Sequence, residues 1–188
     1  MARPLSYDRA TVLEQAMQLF WRKGYERTSI RDLVDGTGLN PGSLYDGFGD
    51  KRAMFLAALE HYCDAVVSAA MAGLRNTRPG AAAVRGFFQA LVDASDRERW
   101  GLGCLLVNTS VDASQIDADI SDAVADRLSA IEAALHDAVA RGQADGSIDA
   151  RQPAEAVAAF LMTLLTGIRL GARSGFAGRD RIGSVVQV

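Results

Sequence analysis

The residues with the clearest chemical purpose lie between Thr28 and Lys51, in the stretch TSIRDLVDGTGLNPGSLYDGFGDK. Thr28, Ser43 and Tyr45 bring hydroxyls, Asn40 an amide, Lys51 an ammonium, and Gly42 a gap with no side chain. These groups meet phosphate oxygens and base edges. To act on DNA, Asn40, Gly42 and Ser43 must open a helix, so that small polar residues enter a major groove first. The hydroxyls of Thr28 and Tyr45 and the ammonium of Lys51 would then reach the phosphates. A lysine in the first turn of a helix opposes the helix dipole, which points to an anionic partner outside the protein. The plainer alternative is a helical core with no DNA role, in which the Tyr45 ring packs inside.

A second group lies further along. Cys104 follows Gly101-Leu102-Gly103, a position that reads as a helix N-terminus and favours thiolate. Its alternative is a buried cysteine acting as a small hydrophobe. Cys63, beside Leu59 and Val66 on an apolar helix side, reads as core. Tyr62, Phe87, Phe88 and Trp100 are placed to line a ligand cavity between helices, with Asn108 and Thr109 as polar contacts, or else to form ordinary core. No cofactor, metal site or catalytic set is expected. The two cysteines make no CxxC pattern, His61 and His136 lie far apart, and nucleophile elbow, phosphate loop and paired carboxylates are missing.

The elements that must position these residues read as helices throughout: an all-α chain, with period-3.6 apolar stripes and no alternating β-branched runs. A first helix from about Asp8 to Lys23 buries Val12, Ala16, Leu19 and Phe20. Thr28 reads as the N-cap of the second, carrying Ile30, Leu33 and Val34. Gly38 frees the turn. Asn40 caps the third, with Pro41 at its first position, and Val34, Leu39 and Leu44 join the two. Asp50 caps a fourth that runs unbroken toward Leu74. A fifth carries Val84, Phe87, Phe88 and Leu91. A short apolar piece, Cys104 to Val107, precedes a long helix striped with Ile120, Val124, Leu128, Ile131, Leu135 and Val139. Pro153 begins a last long helix to about Arg173. The tail from Ser174 reads as a short final helix or a frayed end.

This pattern divides into a DNA-binding three-helix unit, residues 1–52, and a helical ligand-binding and dimerisation unit, residues 53–188. Charge is uneven between them. Residues 1–52 hold eight Lys or Arg against seven Asp or Glu, and residues 53–188 hold 12 against 16, for a net −3 overall. The most apolar stretch, Glu155 to Arg169, is shorter than the ~20 residues of a membrane span, so no membrane partner and a cytoplasmic location are expected.

The run Gly24-Tyr25, Thr28-Ser29-Ile30, Leu33, Gly38-Leu39, Gly42-Ser43-Leu44-Tyr45, Phe48 and Lys51 closely resembles the TetR family of bacterial repressors. The resemblance implies a helix-turn-helix, a homodimer on a palindromic operator, and release by a small ligand. It implies DNA roles for Thr28, Asn40, Gly42, Ser43, Tyr45 and Lys51. Asp46 departs from the aromatic or basic residue common there, so it should avoid phosphate or meet a cytosine amino group. The Gly103-Cys104-Leu105-Leu106 segment resembles a branch of the family that responds to electrophiles. The expectation is a transcriptional regulator. The alternatives are a DNA-binding protein of this fold that recruits a protein without a ligand, and a helical enzyme.

Overall fold

The computed structural model describes residues 7–93, 97–113, 117–176 and 178. Among them every regular element is a helix: α1 Arg9–Lys23, α2 Ile30–Thr37, α3 Pro41–Phe48, α4 Lys51–Tyr62, a π-helical turn Cys63–Val67, α5 Ser68–Asn76, α6 Gly80–Asp93, α7 Arg97–Leu102, α8 Leu105–Ala113, α9 Ala118–Ala144 and α10 Ala154–Arg173. The tail beyond Phe176, Gly178 apart, lies outside the described residues.

The helix starts are set by side chains that accept the first free N–H groups. Asp8 caps α1 from just outside it, accepting from Ala10 and Thr11. The α2 cap is Ser29, one residue later than expected, and it forms a reciprocal box with Asp32. Asn40 accepts from the Ser43 N–H, with Pro41 at the first helical position. Asp50 and Asp117 do the same for α4 and α9.

The first four helices form one packed unit. Phe20 and Phe55 meet edge to face with ring centroids 4.9 Å apart, and Val12, Ala16, Met17, Met54, Ala58 and Leu59 close around them. The fourth helix is not continuous. It widens into a π turn at Cys63–Val67 before resuming as α5, an insertion that often marks a functional site. Residues 97–102 and 105–113 form the short helices α7 and α8, so Cys104 does stand just before a helix.

In the remainder α9 is the spine, packed by α5, α6, α8 and α10. Val124, Ile131 and Leu135 are therefore buried within the chain, with Leu128 half-buried beside them. The backbones of α6 and α9 touch closely. A Cβ on Gly80 would collide with the Gly142 backbone and the Ala138 carbonyl, and the Gly80 N–H donates to Asp145 at 2.9 Å. The last helix is 20 residues long, and by length and composition both Lys51–Asn76 and Ala154–Arg173 are long and apolar enough to cross a membrane. The last helix ends at Arg173 as expected, and the expectation that its apolar stretch is too short for a span is corrected. One side of each lies in the core: Met54, Phe55 and Leu74 in the first, Leu165 and Ile168 in the second.

Candidate functional site

Two regions carry the polar chemistry, one at α2–α3 and one inside the larger helical body. At the first, Gly38 has the left-handed backbone, φ 69°, that turns α2 into α3. Leu33, Leu39, Leu44 and Phe48 anchor the pair inward. The opposite face of α3 holds Asn40, Gly42, Tyr45 and Asp46, all exposed, with Ser43 half-buried. The Tyr45 ring is 49% exposed and takes no part in the core. A Cβ on Gly42 would meet only the Asn40 side chain, at 3.3 Å, so nothing behind α3 requires a glycine there.

Two residues are placed differently from the expectation. Thr28 is 0% exposed, and its hydroxyl donates to the Gly24 carbonyl at 2.7 Å. It closes the turn after α1 and cannot offer that hydroxyl to phosphate. Lys51 stands at the start of α4 but has partners within the protein. Its Nζ donates to the Glu26 carbonyl at 3.3 Å and lies 4.4 Å from the Tyr25 ring centroid. These hold its ammonium beside α2. The α2 entrance is tied down by Lys23 on Asp32 at 2.5 Å. That ammonium, with the Ser29 N–H and hydroxyl, holds the Asp32 carboxyl well below the usual range.

The second region is a cavity of about 240 Å³ lined by α1, the end of α4, the π turn, α5, α6, α7 and α10. Trp21, Tyr62, Ala65, Ala69, Leu91 and Arg169 are among its walls. The π turn therefore faces a cavity. Trp21 and Tyr62 pack edge to face, centroids 4.9 Å apart, and the Trp21 indole N–H is buried with no hydrogen-bond partner among the described residues. The Tyr62 hydroxyl donates to Cys104 Sγ at 3.4 Å. Burial first, then the neighbouring Cys104, push the Tyr62 phenol well above its ordinary pKa. Cys104 precedes α8, and its carbonyl accepts the Asn108 N–H at 2.8 Å. The turn before it needs Gly103, φ 71°, because a Cβ there would lie 2.8 Å from the Arg169 carbonyl.

Of the residues expected to line a cavity, only Tyr62 is a wall. Phe87 and Phe88 pair edge to face at 5.4 Å within the core, and Trp100 is buried near Arg169. Asn108 donates to the Leu102 carbonyl at 2.8 Å, and Thr109 to that of Leu105. Trp21 and Arg169 were missed. The signal for Arg169 was present: it interrupts the apolar face that Leu165, Ile168 and Ala172 carry into the core.

The cavity and the α2–α3 region are joined through the end of α1. The Arg173 guanidinium donates to the carbonyls of Trp21 and Leu102, at 3.2 and 3.3 Å. Arg52 at the head of α4 pairs with Asp119 on α9. Among the described residues no His, Cys, Asp and Glu cluster could hold a metal.

Residues 12–58 match the model of bacterial regulatory proteins of the tetR family, and residues 80–174 match that of the tetracyclin repressor-like C-terminal domain. The chain is 31% identical to the HTH-type transcriptional repressor ComR of Escherichia coli K12, over 92% of this chain and 83% of that protein. It is 27% identical to the repressor BdcR of the same strain, over 92% and 83%. Among solved structures, a cysteine mutant of the TetR family regulator CifR complexed with 26-bp operator DNA superposes with TM-score 0.85 at 29% identity, covering 98% of this chain and 96% of that one. With the helix-turn-helix presented outward and a helical body behind it, the chain belongs to the TetR family and is a DNA-binding transcriptional regulator, not an enzyme.

Proposed function

We propose that the protein is a cytoplasmic homodimeric repressor, that α3 enters the major groove of a palindromic operator, and that a small effector in the cavity releases it. The observation that carries the DNA reading is α3 itself: a short capped helix whose outer residues Gly42, Tyr45 and Asp46 are exposed. Asn40, Gly42 and Ser43 approach base edges, and Tyr45 and Lys51 meet phosphates. Thr28 supports this surface from behind. The relatives ComR and BdcR carry the name of repressor, which favours repression.

The effector reading rests on the cavity, because Trp21 is at once a cavity wall and part of α1. A molecule that moves Trp21 also moves the helix on which α2 and α4 pack. A cavity of this kind also weighs against regulation through a recruited protein alone. Duplication on a palindrome requires a second copy. The outer face of α10 offers one, with Phe160 66% exposed, Leu170 exposed and open space beside Gly167.

A specific observation favours an electrophile as one form of signal. Tyr62, a wall of the cavity, donates its hydroxyl to the Cys104 sulfur, and the CifR structures that resemble this chain are cysteine mutants. Cys63 is unsuited to the role, since burial pushes its thiol up to about 11. Treatment with N-ethylmaleimide followed by mass spectrometry should find Cys104 as the site whose adduct releases DNA. Release that persists in Cys104→Ser would refute it.

The operator reading is tested by selecting duplexes from a random pool with the full-length protein and measuring affinity against salt. The expected result is a two-fold symmetric sequence bound with a steep salt slope. Lys51→Ala should flatten that slope by about one unit, and Ser43→Ala should change sequence preference. Equal affinity for selected and random duplexes refutes specific regulation.

A further inference from the structure

Among the described residues, the charged side chains on the cavity walls are Arg99 and Arg169. Arg169 is 8% exposed. Its guanidinium lies 5.9 Å from the Trp100 ring centroid, and it forms no hydrogen bond or ion pair with any described residue. One turn on, Arg173 donates to two backbone carbonyls, neither of them charged. A guanidinium keeps its charge in proteins and offers five N–H donors in a fixed fork. Buried charges are ordinarily paired. An arginine without such a partner on a cavity wall, and an indole N–H on Trp21 of the same cavity with no hydrogen-bond partner among the described residues, suit an anion.

The remaining walls set the rest of the molecule. Ala65, Val66, Ala69 and Leu91 are apolar, so the anion carries a hydrocarbon body. About 240 Å³ lies below the usual ~300–1,000 Å³ of ligand pockets, so that body is compact. A phosphate ester would bring more negative charge and less apolar surface than these walls match.

We propose that the cavity binds a small organic carboxylate, its carboxylate paired with Arg169 and the Trp21 N–H, and its apolar body against the π turn and α5. This rests on the reading of the cavity as the effector site and narrows it to a chemical class.

The test uses the full-length protein with two acids, benzoate and hexanoate, and their neutral isosteres, benzamide and hexanamide. Binding is followed by calorimetry, and release of the selected operator by fluorescence anisotropy. At least one acid should bind and release DNA, with its amide at least ~10-fold weaker, as a charged hydrogen-bonded pair implies. Arg169→Gln should lose that preference by a similar factor, and Trp21→Phe should weaken the acid several-fold. Should Arg169→Gln fail to fold by circular dichroism, Arg169→Lys keeps the charge, loses the fork and should show a smaller loss. Amides that bind as tightly as the acids, undiminished acid binding in the Arg169 variants, or no binding by either acid at millimolar concentration would overturn the carboxylate. If the amides bind equally well and Ala69→Trp abolishes their binding and DNA release, the effector cavity stands and only its charge preference falls. Release by acid that survives Ala69→Trp sinks both.

Discussion

The cap on α3 allows the structural and DNA-facing roles of one residue to be separated. Asn40 is exposed, and its Oδ1 accepts the Ser43 N–H at 2.9 Å. Replacing it by Ala removes that acceptor without opening the core. An N-cap of this type contributes about 1 kcal/mol. The contribution matters here because α3 has eight residues, includes Gly42 and Gly47, and is weak as an isolated helix. Asn40→Ala should therefore lower unfolding free energy by about 1 kcal/mol. Through helix fraying alone it should weaken operator binding no more than about fivefold. Asn40→Asp keeps an equally good cap, so its stability should stay close to the parent. It brings a negative charge to the groove, so its operator affinity should fall further than that of Asn40→Ala. Urea denaturation followed by circular dichroism and anisotropy on the selected operator measure both. Equal destabilisation by Ala and Asp refutes the capping account. An Asp variant that binds operator like the parent refutes the placement of α3 in the groove.

Three further outcomes follow from other contacts. Gly80→Ala should cost about 1–3 kcal/mol as overpacking and lower the melting temperature, because its new methyl meets the α9 backbone rather than a yielding side chain; an unchanged melting temperature contradicts that contact. The lowered carboxyls of Asp32, Asp8 and Asp145 leave the native state with fewer bound protons than the unfolded chain in acid. Their stabilisation is present above the ordinary carboxyl value of 3.8 and is lost as pH falls through the native values. The urea midpoint should therefore drop from pH 5 to pH 3, with a shallower drop in Asp32→Asn. Gly167→Leu places its side chain in open space within the protomer, so helicity should hold while sedimentation shifts toward monomer and operator affinity collapses; an intact dimer moves the interface off α10.

Much of the DNA-facing part was legible in the sequence because its determinants are local. Asn40 with Pro41, Asp50 and the glycine at 38 act within four residues of themselves, so their types and spacing specify two short helices and a turn. The same locality made Leu39 and Leu44 readable as anchors and left the other face of α3 for a partner. The shift of the α2 cap from Thr28 to Ser29 was the limit of that reading. Either residue can cap, and only the packing that buries Thr28 against Gly24 settles which one does.

The effector region was decided by tertiary structure. Its walls come from Trp21, Tyr62, Leu91 and Arg169, spread over about 150 residues, and no local rule links them. Periodicity shows that a helix has an apolar face but not what covers it. The α9 stripe of Val124, Ile131 and Leu135 is therefore as consistent with a partner as with the core that takes it. Phe87 and Phe88 face the same ambiguity and fall to the core. A lone arginine on an apolar face is visible in sequence, but whether a carboxylate answers it depends on every helix that packs around it.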